Sequence, residues 1–275
     1  MAEFSAADVK RLREQTGAGM MDCKKALVES DGDYERAVEF LRVKGLKGVA
    51  KREGRTASNG LVAAHVEDGF GTLVEINCET DFVAKGDRFQ QLAQQVLDQA
   101  VKVKATDAES LLKSEIEPGK TVGALLDEAN AAIGEKIEIR RVARLEAPHV
   151  ASYLHRTTPD LPPQVGVLVA TDSKSDVARD VAMHVAALPP LYVSKDAVPQ
   201  DVVETERRIA EETAREEGKP EQALPRIVEG RVNGYYKENV LLEQKFAKDQ
   251  SKTVAAVLKD AGVSAVGFAR FRVGA

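Results

Sequence analysis

At 275 residues the chain has room for two or three compact units, and its 43% apolar content allows a sizeable core. A net charge of −5 argues against general nucleic-acid binding, whose affinity comes from neutralising phosphates. No run of about 18 apolar residues marks a membrane-spanning helix, and Met1-Ala2-Glu3-Phe4 lacks the pattern of a secretory signal.

The charge is uneven. Residues 1–55 hold twelve Lys/Arg and ten Asp/Glu, net +2, against −7 for the remainder. A basic cluster of Arg42, Lys44, Lys47, Lys51, Arg52 and Arg55 reads as a solvated helix end and linker, or as a docking surface for an acidic partner. Only Cys23 and Cys78 occur, outside any CxxC, which reads as two free thiols in a reducing cytoplasm.

Residues 5–45 read as three short helices. Ser5 with Asp8 three residues on forms a capping-box-like start, and Val9 and Leu12 share a face. Gly17-Ala18-Gly19 ends the first helix in a turn needing positive φ. Met20-Met21 sit in this glycine turn as core filler or as an adaptable contact surface, and Asp22 to Glu29 follow as the second helix. Asp33 caps the third, whose apolar face is Ala37, Val38, Phe40 and Leu41, and Gly45 is expected to stop it. No chemistry is built into these helices, so 1–45 reads as a binding module, followed by a Lys/Arg/Gly/Ser-rich linker at 46–58.

From Gly60 the period changes. Leu61–Val66 and Thr72–Ile76 read as strands joined by a loop over Glu67–Gly71. The corner Asn77-Cys78-Glu79-Thr80-Asp81-Phe82-Val83 follows. Taken from the residues alone, Phe82 is a core plug or an exposed contact, and Asp81 a helix-entry residue or a functional acid. Phe89, Leu92, Ala93, Val96, Leu97 and Ala100 then keep helical spacing. A helix begins at Thr121, and Lys136 to Leu145 is a strand with charged alternates.

The second half repeats this plan. Thr121-Val122-Gly123-Ala124-Leu125-Leu126, with Ile137 to Val142 after it, has a counterpart in Thr253-Val254-Ala255-Ala256-Val257-Leu258, with Phe268 to Val273 after it. Val150–Leu154, Val165–Ala170 and Val177–Leu188 echo the hairpin and helix of 60–101. The expectation is an α+β fold with two related subdomains, 59–146 and 147–275, each with a small antiparallel sheet. About 197–248 is an insertion in the second. There Val202-Val203, Ile209 and Thr213 make one stripe, and Leu224, Ile227-Val228, Val232 and Tyr235 another, predicting an antiparallel helical hairpin. Pro225 requires the second helix to start near Leu224 or to kink there.

No P-loop, HExxH or nucleophile elbow is present, and Gly17-Ala18-Gly19 lacks the preceding strand of a dinucleotide fingerprint. His65, His149, His155 and His184 are dispersed; His184 reads as packed and His155, before a Pro-rich loop, as exposed. Nothing reads as a catalytic site.

Thr16-Gly17-Ala18-Gly19-Met20-Met21-Asp22-Cys23-Lys24-Lys25-Ala26-Leu27 and the Asn77–Val83 corner closely resemble two signatures of the bacterial elongation factor Ts family. Ala182-Met183-His184-Val185-Ala186-Ala187, Val228-Glu229-Gly230-Arg231 and Gly267-Phe268-Ala269-Arg270-Phe271 extend the resemblance, in order, over essentially the whole chain. The resemblance implies a guanine-nucleotide exchange factor for elongation factor Tu, not an enzyme, without cofactor, cytoplasmic, and with no direct nucleic-acid or membrane partner. It implies a ubiquitin-associated-like three-helix module docking on the GTPase, a two-part core and a protruding coiled coil, in a heterodimer or a 2:2 heterotetramer. By the same resemblance Phe82 is a wedge beside the Mg²⁺ and phosphate site of Tu, Asp81 its polar neighbour, and Thr80 and Val83 shape the turn. Lys24, Ile133 and His155 are implied as further Tu contacts. Two departures are visible: the chain stops at Ala275 where some members continue into a C-terminal helix, and the loop between His155 and Val165 is longer than the usual link.

Overall fold

A computed structural model describes residues 4–52 and 54–275, with the backbone alone over 46–51. The chain opens with α1 (Ala6–Thr16), α2 (Met20–Glu29) and α3 (Tyr34–Arg52). Ser5 and Asp8 form a reciprocal capping box, Gly17 takes φ 73° past the end of α1, and Asp33 Oδ1 accepts the Arg36 N–H at 3.1 Å. Leu12, Cys23, Ala26, Leu27, Ala37 and Leu41 make the small core between the three helices.

Gly45 does not stop α3, which runs on to Arg52. Its glycine serves a helix crossing instead: a Cβ at Gly45 would lie 2.4 Å from the Ala131 Cβ. The described members of the basic cluster are turned to the chain itself. Arg42 pairs with Glu128 at 3.4 Å, Lys44 with Asp22 and Arg55 with Glu79, while Arg52 donates to the Asn130 carbonyl. Lys47 and Lys51 lie outside the described side chains.

β1 (Asn59–Glu67) and β2 (Phe70–Cys78) form an antiparallel hairpin. The expected five-residue loop shrinks to Asp68-Gly69, because pairing continues to Glu67 and Phe70 and Gly69 supplies φ 90°. Then come α4 (Asp81–Lys85), α5 (Asp87–Lys102) and α6 (Ala108–Lys113), followed by the short β3 (Glu115–Glu117) and β4 (Lys120–Thr121). α7 (Val122–Ile133) and β5 (Ile137–Glu146) complete the first unit. The second unit runs β6 (His149–His155), β7 (Val165–Thr171), α8 (Val177–Ala187), then α9 (Gln200–Glu216) and α10 (Leu224–Asn239). It ends with β8 (Lys245–Phe246), β9 (Asp249–Thr253), α11 (Val254–Asp260) and β10 (Ala265–Arg272).

The two main sheets have strand orders β1-β2-β5 and β6-β7-β10, each with the second hairpin strand in the middle. The repeat reaches individual hydrogen bonds. Thr121 caps α7 through the Ala124 N–H, and Thr253 caps α11 through the Ala256 N–H. Val122 N–H donates to the Ser114 carbonyl, and Val254 N–H to the Gln244 carbonyl. Strand alternation then sets the layers. Val74 and Ile76 face α5 and its neighbours, and Val165, Val167 and Val169 face α8 and α11. Leu73, Val62, Val150, Leu168, Ala170 and Phe271 meet between the sheets. The core is thus two sheets packed face to face with helices on both outer sides.

α9 and α10 form the expected hairpin, held by Ala210, Val228 and Val232 with Val203 and Tyr236 against them. The stripe on α9 lies one residue along from the expected one. Ile209 is exposed, and the contact line runs through Ala210 and Ala214, whose small side chains let the helices approach. On α10 Tyr236, not Tyr235, packs into the seam. Pro225 sits in the first turn of α10, where its missing N–H breaks no helical bond.

Candidate functional site

The corner between β2 and α5 is built from its backbone outward. Thr80 leaves β2 extended, at φ −124°, and caps α4 by accepting the Val83 N–H at 3.4 Å; its carbonyl accepts the Ala84 N–H at 3.2 Å. The Gly86 N–H closes the turn on the Val83 carbonyl at 2.9 Å, and α5 starts immediately after. Ala84 is buried in the core and Val83 packs against it, so these two root the turn. Phe82 points the other way and is 83% exposed. The plug reading of Phe82 is therefore overturned. The residue that fills the end of this sheet is Phe89, 1% exposed and set on α5 seven positions later.

Asp81 enters α4 in its first turn and pairs with Lys85 at 2.9 Å. The Lys85 hydrogen bond holds the Asp81 carboxyl below its usual range, and the same bond raises Lys85. The charge of Asp160, on the Pro-rich loop after β6, also raises Lys85, after the larger effect of Asp81.

Two carboxylates fasten the corner to the link between α7 and β5. Glu135 Oε2 accepts the Thr80 N–H at 3.0 Å and Glu135 Oε1 the Thr80 hydroxyl at 2.6 Å. In return Glu79 Oε1 accepts the Lys136 N–H at 2.6 Å, and Arg55 approaches the same carboxylate at 3.3 Å. The Cys78 thiol donates to the Thr80 carbonyl at 3.2 Å; burial pushes it up to about 12, with the nearby Glu135 charge adding to the effect, so the donor proton is retained. Sequence reasoning missed Glu135 and the role of Glu79. Both act through loop geometry that no periodicity marks.

The remaining expected residues are not all gathered here. Ile133 ends α7, half-buried against the first core and two residues before Glu135, which bonds the corner. His155 is exposed at the end of β6 in the other sheet, with the Tyr153 hydroxyl at 3.1 Å from its Nδ1. Lys24 is exposed on α2. Neither His155 nor Lys24 shares a hydrogen bond with the corner among the described residues. Met20 and Met21 are both exposed, which removes the core-filler reading. Their helix is preceded by the Gly17–Gly19 turn, and the Arg88 guanidinium of α5 lies over Gly17 where a side chain would stand. The first helices and the corner are thus adjacent. Among the described residues no three His, Cys, Asp or Glu side chains converge as a metal site.

The sequence model of the family described as Elongation factor TS matches residues 79–275. The chain belongs to the elongation factor Ts family. Elongation factor Ts of Kineococcus radiotolerans is 64% identical over the full length of both chains. Elongation factor Ts of Acidothermus cellulolyticus is 59% identical over all of this chain and 99% of its own, and that of Micrococcus luteus 58% over all of both. The family match begins at Glu79, so Thr80 to Val83 and both carboxylates of the corner, Glu79 and Glu135, fall inside it.

Proposed function

We propose that this member of the elongation factor Ts family is a guanine-nucleotide exchange factor for elongation factor Tu in cytoplasmic protein synthesis. It binds Tu carrying GDP, disturbs the Mg²⁺ and phosphate site, and promotes GDP release so that GTP enters. It turns over no substrate of its own. The observation that carries this reading is Phe82: a large apolar side chain, 83% exposed, on a turn fixed by backbone and carboxylate hydrogen bonds. Leaving such a ring in water forgoes about 1.5–3 kcal/mol of burial, a cost that binding in a partner's cleft offsets.

The physics is one of linked equilibria. A wedge that fits only the distorted nucleotide site binds that state preferentially, and nucleotide weakens the factor by the same coupling. Moving a two-state site from 1:99 to 99:1 takes about 5.5 kcal/mol of differential affinity. One Phe falls short of that, so other surfaces must supply binding energy. In this proposal Phe82 is the wedge, Asp81 its polar neighbour, and Thr80 and Val83 shape the turn that carries it. Lys24 on the three-helix docking module 1–45, Ile133 in the first subdomain and His155 in the second add contacts, in a 1:1 or 2:2 complex.

Stopped-flow release of fluorescent GDP from Tu at fixed Mg²⁺ tests the reading. Acceleration that titrates with added protein supports it, and Phe82→Ala is expected to lower the maximal rate while leaving affinity for nucleotide-free Tu less affected. A demonstrated complex with no change in release rate overturns it.

A further inference from the structure

The internal repeat provides a control for what the fold alone requires at its two strand-to-helix corners. In the second unit Asp172, the residue after β7, accepts through Oδ1 the N–H of Ser264, the residue before β10, at 2.9 Å. In the first unit Glu79, the residue after β2, accepts the N–H of Lys136, the residue before β5. One carboxylate latch therefore belongs to the architecture. The first unit adds a second: Glu135, one position further back, reaches Thr80, one position further on, with both carboxylate oxygens. Its positional counterpart in the second unit is Val263, buried in the core and without a polar atom to offer. The corners differ in a matching way. Counted from the ends of β2 and β7, the second has Ser173-Lys174-Ser175 where the first has Thr80-Asp81-Phe82, so no apolar ring stands there to be presented.

From this difference we infer that Glu135 is a positioning residue for nucleotide exchange: it braces Thr80 so that Phe82 is presented on a turn that does not yield when the ring is pushed into the partner's nucleotide site. The inference rests on the exchange reading and deepens it. A side chain can transmit distortion only if its own mount is stiffer than what it displaces, because a mount that gives way spends the binding energy on itself. The single Glu79 latch ties the end of β2. It does not hold Thr80, whose amide and hydroxyl point at Glu135. Charge-assisted hydrogen bonds are the strong ones available for such a brace. The same link carries Ile133 at its start, so the brace also fixes the corner relative to the end of α7.

The test uses the full-length protein as wild type, Glu135→Ala, the milder Glu135→Gln and the control Asp172→Asn. Amide hydrogen exchange across residues 79–85 is expected to accelerate about tenfold in Glu135→Ala, with the sheets unchanged. Stopped-flow GDP release from Tu is expected to show a maximal rate about tenfold lower and a half-saturating concentration changed less than about twofold. Glu135→Gln should fall between, and Asp172→Asn should keep the wild-type maximal rate. Unchanged amide exchange in Glu135→Ala overturns the brace, whatever the kinetics. A loosened corner with an undiminished maximal rate, or equal losses of rate and affinity, overturns the positioning role. Should wild type fail to accelerate release, the exchange reading falls, and with it the role in exchange, while the amide measurement separately decides whether Glu135 holds the corner.

Discussion

Leu73 lies against the bare α-carbon of Gly166, and its repeat partner Leu168 lies against Gly71: a Cβ on Gly166 would stand 2.9 Å from Leu73 Cδ1, and one on Gly71 3.2 Å from Leu168 Cδ2. Gly71 and Gly166 are each the second residue of a middle strand, so the contact is reciprocal across the two sheets. Neither glycine needs a positive φ; both are there because the sheets meet. Gly166→Ala, which also places a methyl 2.4 Å from Val62 Cγ1, is expected to cost about 1–3 kcal/mol by overpacking. Chemical denaturation measures it. Combining it with Val62→Ala should cost less than the two single losses together, since that deletion removes the atom nearest the methyl. Strict additivity would place the clash elsewhere.

Two phenylalanines seven residues apart should separate stability from activity. Phe89, 1% exposed, fills the end of the first sheet, and Phe89→Ala is expected to lower the unfolding free energy by about 3–5 kcal/mol. Phe82→Ala removes a ring already in water and is expected to stay within about 0.5 kcal/mol of wild type. A large stability loss at Phe82 would mean that the ring is packed in solution.

The repeat was legible because Thr121–Leu126 and Thr253–Leu258 repeat a cap followed by apolar spacing, and both threonines do cap. The correspondence of Gly71-Thr72-Leu73-Val74 with Gly166-Val167-Leu168-Val169 marks the contact between the sheets, but a glycine in a strand does not say which neighbour it admits. Gly45 is ambiguous in the sequence because a glycine after a helical run signals either a stop or a close crossing, and only the neighbour Ala131 decides. Ile209 drew the α9 stripe off by one position, since the true seam uses Ala210 and Ala214, which carry little hydrophobic signal. At the site, the exposure of Phe82 turned on which of two nearby phenylalanines filled the core. Glu135 left no pattern at all, because its partner Thr80 is 55 residues away along the chain.

Cys78 should be silent toward thiol reagents in the native protein. Burial raises its thiol to about 12 and it donates to the Thr80 carbonyl, so near pH 8 almost no thiolate forms. Cys23 is also buried and raised by burial. Alkylation is expected at neither site in native buffer and at both in denaturant. Because the folded thiol binds its proton more tightly than the unfolded one, its contribution to stability is intact below about pH 9 and is lost as pH rises toward about 12. Rapid native alkylation of Cys78 would show that the corner opens readily.

His184 should give the protein an acid-sensitive joint of the opposite sign. The ring is buried on α8 and stacks on Phe246, and its Nε2 and Gln244 Oε1 lie 2.8 Å apart. The Gln244 amide is oriented by donating to the Glu238 carbonyl at 2.7 Å, which leaves its oxygen to accept from the Nε2–H. Nδ1 accepts the Ala247 N–H at 3.1 Å, so the network selects the neutral ring with its proton on Nε2. Protonation would set a second N–H against that of Ala247. The nearby Asp180 and Lys248 pair with each other at 2.6 Å and leave no free carboxylate to receive it. Burial accordingly lowers the His184 value below 6.5. The folded form binds the proton less well than the unfolded form, so the contribution is present above about pH 6.5 and is lost as pH falls toward the folded value, at up to about 1.4 kcal/mol per pH unit. Denaturant unfolding of wild type and His184→Gln between pH 5 and pH 7.5 measures it. The variant should be less stable at neutral pH and should lose less on acidification. Parallel profiles would show that His184 does not titrate with unfolding. Since Gln244 and Ala247 lie on the segment returning from α10, the joint that weakens first in acid would be the one tying the helical hairpin to α8.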